Sequence, residues 1–193
     1  MMQSTDAMRK FDPRKIAYYE KENWVAYYQK RWLRLMIVSV SMVKETFGLN
    51  WAQAIYAAYL VARAEIAAAP FPKNDIELAE SYMRRFYALI KRIHAADFDV
   101  AEVARLEVNW WVVHRQLFGK SENQELIDAL ANLYAATFGV SPDRVRDAAY
   151  HRAQAMVYSD QWVNDGRDTH SLLLAQEEEE LFRSYRALRD AVA

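Results

Sequence analysis

The sequence predicts an all-α protein, a single-domain bundle of about seven helices, from three observations. Its 193 residues are 53% hydrophobic and 26% charged, a balance typical of one globular domain. No stretch alternates apolar and polar residues in the manner of a β-strand. Every glycine and proline lies at the edge of a helical pattern, where a closing left-handed residue or a rigid first turn is expected. These positions are Gly48, Gly119, Gly139, Gly166, Pro13, Pro70, Pro72 and Pro142.

The first predicted helix is the longest. It runs from Pro13 to Phe47 behind the capping residue Asp12, and its length predicts a bend between Arg34 and Met36. The second predicted helix covers residues 51–69 and follows Asn50, whose side chain is suited to cap its first turn. Gly48 separates the two helices.

The third and fourth predicted helices also begin at capping signals. The third covers residues 75–94, and Asn74 and Glu77 stand at capping-box spacing around its start. The fourth covers residues 100–118 and follows Asp99, a favoured N-cap residue.

Three further helices complete the predicted bundle. The fifth covers residues 122–138, with Ser121 and Gln124 as a second capping box. The sixth covers 142–164 and starts with a proline, and the seventh covers 172–192. The run Glu177–Glu180 near the start of the last helix is expected to form a solvated face, since negative charge suits that end of the helix dipole.

The second helix is predicted to lie at the centre of the bundle. Residues 51–69 are apolar on every face, with Gln53, Arg63 and Glu65 as the strong polar exceptions. A helix of this kind is usually surrounded by other helices. Residues 1–11 are expected to be disordered at the end of a single domain that covers residues 1–193.

Composition narrows the classes of function. The formal net charge is -1 and no cysteine is present, so we expect no nucleic-acid partner, no disulfide and no thiolate chemistry. The most apolar stretch, residues 35–43, is too short for a membrane span, which needs about 20 residues. The first residues do not read as a signal peptide. We therefore expect a cytoplasmic protein with no membrane partner.

Polar residues interrupt the apolar face of the fourth predicted helix. Glu107 and His114 both fall among its hydrophobic positions, seven residues apart and therefore about 10 Å apart along the axis. Trp110 and Trp111 lie between them. Because burial of unpaired polar groups costs free energy, these residues are candidates for a site or for a buried network.

The second and sixth predicted helices supply candidate partners. Arg152 falls on the inward face of the sixth helix and Asp160 at the edge of that face, and Arg63 and Glu65 interrupt the apolar second helix. One hypothesis is a pocket with aromatic walls that binds a small polar or anionic molecule, with both arginines taking the negative group. The alternative is a non-catalytic homodimer or adaptor in which the buried charges only form a structural network.

The motifs of common enzyme classes are absent. No glutamate stands three residues before a histidine as in carboxylate-bridged di-iron bundles, and neither HExxH nor a glycine-rich phosphate loop is found. We therefore expect no metal and no cofactor, and we assign no catalytic residue. A dimer surface is predicted on the first helix, where Tyr18–Tyr19 and Tyr27–Tyr28 place aromatic rings on two sides.

Overall fold

The computed structural model describes residues 7–70, 72–120 and 123–193. It shows eight α-helices and no strand over these residues, which confirms the predicted all-α fold and approximate helix count. Two short 3-10 turns, Ala7–Arg9 and Pro142–Val145, accompany them. The helices are α1 (Pro13–Tyr28), α2 (Trp32–Phe47), α3 (Trp51–Ala68), α4 (Ile76–His94), α5 (Val100–Leu117), α6 (Gln124–Phe138), α7 (Arg146–Asn164) and α8 (Leu172–Val192).

Three predicted caps hold their helices as expected. The Asp12 side chain accepts hydrogen bonds from the first backbone N–H groups of α1. Asn50 and Gln53 form a reciprocal capping box at the start of α3, and Asp99 accepts from the Glu102 N–H in α5. Each cap satisfies backbone donors that have no partner inside the helix.

Two predicted starts were misplaced. The cap of α4 is Asp75, which accepts from the Leu78 N–H, and not Asn74. Pro142 begins a 3-10 turn, so that α7 itself starts only at Arg146. The predicted capping box of α6 involves Ser121, which lies outside the described residues.

The long first helix is two helices, and the prediction of a bend at residues 34–36 was wrong. The break lies at residues 29–31, where Lys30 adopts a φ of 57° and the Arg31 N–H donates to the Ala26 carbonyl at 2.8 Å. No glycine or proline marks this turn. The sequence therefore carried no signal for it, since a lysine in the left-handed region must be held there by its surroundings.

The expectation that residues 1–11 are disordered does not hold for their last part. Met8 and Phe11 are buried in the main core, and the Arg9 guanidinium donates to the carbonyl oxygens of Val192 and Phe138. These contacts join the start of the described chain to the ends of α8 and α6. Residues 1–6 lie outside the described residues.

The eight helices pack in chain order around a closed ring. Each helix contacts the next along the chain, and α8 returns to pack against α1. In this arrangement α1, α5, α7 and α8 direct polar and aromatic side chains into a shared interior, while α2 and α3 form one side of the molecule.

The prediction that the helix at residues 51–69 lies at the centre was wrong. α3 buries only small residues and one leucine, and it leaves a full face exposed. Its main neighbours are α4 on one side and α2 on the other. The inference from all-round apolarity failed because an apolar helix can also be covered by something outside the chain.

Candidate functional site

Arg152 stands at the centre of a buried polar network. Its guanidinium donates two hydrogen bonds to one oxygen of Glu20, at 2.8 and 3.1 Å, and one to the hydroxyl of Tyr134 at 3.2 Å. Its planar face lies 4.8 Å from the centre of the Trp110 ring. Burial by itself would lower the pKa of Arg152, but the charge of Glu20 and the surrounding hydroxyl groups raise it above the ordinary value.

Glu20 balances this buried charge. Its second carboxylate oxygen accepts a hydrogen bond from the Tyr185 hydroxyl, so both oxygens have partners inside the bundle. A buried ion pair is tolerated when further hydrogen bonds satisfy its remaining atoms. The Glu20–Arg152 pair meets this condition, which makes it a structural connection between α1 and α7.

Glu107 belongs to the same network through an aromatic neighbour. Its carboxylate accepts from the Trp110 indole N–H at 2.9 Å and from the Tyr87 hydroxyl at 2.6 Å. Burial and the charge of Glu107 together raise the pKa of Tyr87 well above its ordinary value. The Trp110 ring thus contacts Arg152 on its face and Glu107 at its edge.

Asp160 and His114 form a second polar group, near the C-terminal ends of α7 and α5. One Asp160 oxygen accepts from the Gly119 N–H at 3.0 Å, and the other lies 3.3 Å from His114 Nε2. The direction of this second contact does not suit a hydrogen bond, so His114 Nε2 is buried without one. Trp24 from α1 packs edge-on against the imidazole, with ring centres 6.0 Å apart.

Glu177 is the one completely enclosed carboxyl group among the described residues. Its side chain is 0% exposed, and neither of its oxygens has a hydrogen-bond partner. Burial, reinforced by the charge of Glu20, raises the pKa of Glu177 well above its ordinary value of 4.5. The expectation that the Glu177–Glu180 run forms a solvated face was therefore wrong at its first residue.

Two of the predicted site residues lie away from this interior. Arg63 is exposed and donates to the hydroxyl of Tyr59, one helical turn earlier in α3. Glu65 is also exposed by surface area, although desolvation and the charge of Glu107 raise its pKa to about 7. Glu65 is therefore not a core residue.

The eight predicted site residues therefore divide into separate groups. Arg152, Glu107 and Trp110 belong to one network, and His114 and Asp160 form the neighbouring group. Trp111 is partly buried and packs edge-on against Trp110 at 6.3 Å. Arg63 and Glu65 join neither group by any hydrogen bond of the described residues.

Sequence reasoning missed two carboxyl groups that matter for this interior. Glu20 continues the buried stripe of Ile16 and Ala17, at spacings of four and three residues. Glu177 stands between Leu174 and Leu181, at spacings of three and four. In both helices this spacing places the glutamate on the buried side. Glu20 was overlooked because the first helix was predicted to be too long, and Glu177 because four consecutive glutamates suggest solvent exposure.

No metal centre is evident in this interior. Among the described residues, no group of three or more histidine, aspartate or glutamate side chains is arranged to hold a metal ion. Two clefts open at the surface instead. One of about 410 Å³ is lined by Lys21, Arg31 and His170 among others, and one of about 290 Å³ by Arg9, Asp97 and their neighbours. Neither is lined by Arg152, Glu107 or His114.

The most unusual surface is the side formed by α2 and α3, here called the α2–α3 face. Ten of the sixteen residues of α2 are hydrophobic, yet Val38 alone is buried. The equally apolar α6, with ten hydrophobic residues of fifteen, buries eight. The exposed members of the face are Trp32, Leu33, Met36, Ile37, Trp51, Ile55, Tyr56, Tyr59 and Ile66.

The α2–α3 face is large for a free surface. An aromatic side chain presents about 150–250 Å² when fully exposed, so the four aromatic side chains of the face, which are 43% to 61% exposed, alone leave roughly 300–500 Å² uncovered. The five other side chains of the face are 53% to 70% exposed and add to this area. The largest apolar patch of a typical monomer is about 300–600 Å². Charge is also sparse, since five of the thirty-four residues in α2 and α3 are charged, whereas the whole chain is 26% charged.

This apolar surface does not amount to a membrane span, because none of the helices in the described part of the chain is both long enough and apolar enough to cross a bilayer. Comparison of the chain with protein-family models, curated proteins and solved structures finds no match.

Proposed function

We propose that this protein is a non-catalytic interaction protein that forms a homodimer through the α2–α3 face, while its buried charges form a structural network. The observation that carries the proposal is the exposure of two tryptophans and two tyrosines on this one face. Depletion of charge and enrichment in Trp, Tyr, Met and Arg are typical of the centre of protein interfaces. The tyrosine pairs of α1, which the sequence favoured as the dimer surface, are less suited because Tyr19 and Tyr28 are partly buried.

The size of the α2–α3 face supports a second copy of this chain as the occupant. A standard interface buries about 800 Å² on each partner, and the face offers roughly that area from its apolar side chains alone. If α2 and α3 pack against the same two helices of a copy, both apolar stripes are buried at once, as in a four-helix bundle.

The internal network supports a structural role for the buried charges. Both oxygens of Glu20 and both of Glu107 are hydrogen-bonded to protein groups, and the Arg152 guanidinium uses all three of its nitrogens. Groups already satisfied in this way have little capacity left for a ligand.

The test is the oligomeric state in solution. We expect the wild-type protein to sediment as a dimer, and Ile55→Glu, which places a charge at a side chain 58% exposed on the face, to sediment as a monomer. A matched pair supplies the control. Tyr59 on the face and Tyr150 on α7 are 47% and 46% exposed, so Tyr59→Glu should dissociate the dimer and Tyr150→Glu should not.

Circular dichroism of each variant checks that the bundle is intact. A wild-type protein that stays monomeric at high micromolar concentration would refute self-association. Equal dissociation by Tyr59→Glu and Tyr150→Glu would place the interface elsewhere.

A second candidate function is the binding of a small polar molecule in the interior, and one observation favours it. The Glu177 carboxyl and His114 Nε2 are both buried without hydrogen bonds, and Glu177 interacts electrostatically with Asp160. Native mass spectrometry would test this candidate. Extra mass that leaves on denaturation, and is lost in Glu177→Gln, would support it. A bare subunit mass would leave the network purely structural.

We also propose a cytoplasmic location. The absence of cysteine suits a reducing compartment, and fractionation of expressing cells tests this directly.

A further inference from the structure

Two exposed arginines converge on one tyrosine ring beside the α2–α3 face. The guanidinium carbon of Arg63 lies 5.0 Å from the centre of the Tyr82 ring, and that of Arg85 lies 5.7 Å from the same centre. Arg63 comes from α3, whereas Tyr82 and Arg85 come from α4. The packing of these two helices therefore places both cations around a single aromatic side chain.

Neutral hydroxyl groups hold the two guanidinium groups in position. Arg63 donates to the Tyr59 hydroxyl at 3.2 Å, and Arg85 donates to the Tyr56 hydroxyl at 3.1 Å. The Tyr56 and Tyr59 rings are themselves stacked, with centres 6.5 Å apart. Both arginines are thus ordered by tyrosine contacts that do not cancel their charge.

Carboxylates neutralise the neighbouring arginines but not these two. Arg84 pairs with Glu80 at 3.2 Å, and Arg105 pairs with Glu102 at 2.8 Å. Within the described part of the chain, no carboxylate lies at ion-pair distance from Arg63 or Arg85. The pair therefore keeps two positive charges in a chain whose net charge is -1.

We propose that Arg63 and Arg85 form a binding site for a phosphate group. A guanidinium presents a planar fork of N–H donors that matches phosphate oxygens, and two such forks can share the oxygens of one phosphate or of a diphosphate. The phosphate belongs to a soluble compound or to a phospholipid headgroup. This proposal does not rest on self-association through the α2–α3 face.

The test uses two probes on the full-length protein. One arm measures the affinity for inorganic pyrophosphate by isothermal titration calorimetry at low ionic strength. The other measures co-flotation with phosphatidylcholine vesicles that contain phosphatidic acid, against vesicles of phosphatidylcholine alone. Pyrophosphate binding identifies a soluble source, and flotation only with phosphatidic acid identifies a lipid headgroup.

Matched variants decide whether the two arginines carry the binding. The double variant Arg63→Gln/Arg85→Gln should weaken binding about tenfold or more, because it removes two charged donors. Arg84→Gln is the control, since Arg84 is adjacent in sequence and already paired with Glu80. Two results would overturn the proposal: no wild-type binding to either probe, or equal weakening by the control and the double variant. The oligomeric state of the same samples shows separately whether self-association fails.

Discussion

Replacement of Glu177 by glutamine removes a carboxyl group that is fully buried where α8 packs against α1 and α7. The group has no hydrogen-bond partner, and burial raises its pKa well above 4.5 in the folded state. Glutamine keeps the size of the side chain and cannot ionise. The substitution therefore isolates the free energy that ionisation of Glu177 costs the folded protein.

The sign of the pH effect follows from linkage. When a carboxyl group has a higher pKa folded than unfolded, the unfolded chain releases its proton first as the pH rises. The wild-type protein should lose stability from about pH 4.5 up to the folded-state pKa, by about 1.4 kcal/mol for each pH unit. Over two pH units of this range the accumulated loss is about 3 kcal/mol, a large part of a typical stability of about 5–15 kcal/mol.

Urea unfolding of the wild type and Glu177→Gln, followed by tryptophan fluorescence at pH 5, 6, 7 and 8, measures this loss. As the pH rises, the free energy of unfolding of Glu177→Gln should increase relative to that of the wild type. Glu179→Gln supplies the control, since Glu179 is exposed and pairs with Arg183 at the surface. A difference between wild type and Glu177→Gln that stays constant over this pH range would refute the reasoning.

Three further substitutions test the network and one helix end by chemical denaturation. Arg152→Met should lower the free energy of unfolding by about 3–5 kcal/mol, because it leaves Glu20 charged and buried; adding Glu20→Leu should recover part of this loss. Tyr87→Phe should cost about 1–3 kcal/mol, since Glu107 loses a buried hydrogen bond. Ala95→Gly should stabilise by about 1 kcal/mol, because Ala95 closes α4 at a φ of 47°; a loss of stability would show that its methyl group is needed.

Capping residues in the sequence predicted the starts of several helices well, because a cap acts only on the backbone of the next turn. Asp12, Asn50 and Asp99 cap helices because a short polar side chain can reach the free N–H groups of the next turn. The break at Lys30 is different, since the surrounding packing, and not the residue type, holds that residue in a left-handed conformation. A single sequence offers no way to recognise such a residue.

The candidate site was predicted only in part, because packing between distant parts of the chain decides which side chains meet. Periodicity correctly placed Glu107, Arg152 and Asp160 towards the interior, because each sits on an apolar face. It could not show that Arg152 pairs with Glu20, which is 132 residues earlier in the chain. It also grouped Arg63 with Arg152, although Arg63 contacts Tyr82 and lies beside Arg85.

The sequence by itself determined the all-α class, most helix ends and two of the buried charges, Arg152 and Asp160, because these follow from short-range hydrogen bonding and from the period of the helix. Only the tertiary structure decided which helices are covered. α3 and α6 are both strongly apolar, yet α6 is enclosed and α3 is exposed along one face. The difference arises from the order of the helices around the ring, and apolarity reports only that a surface avoids water, not whether this chain or another covers it.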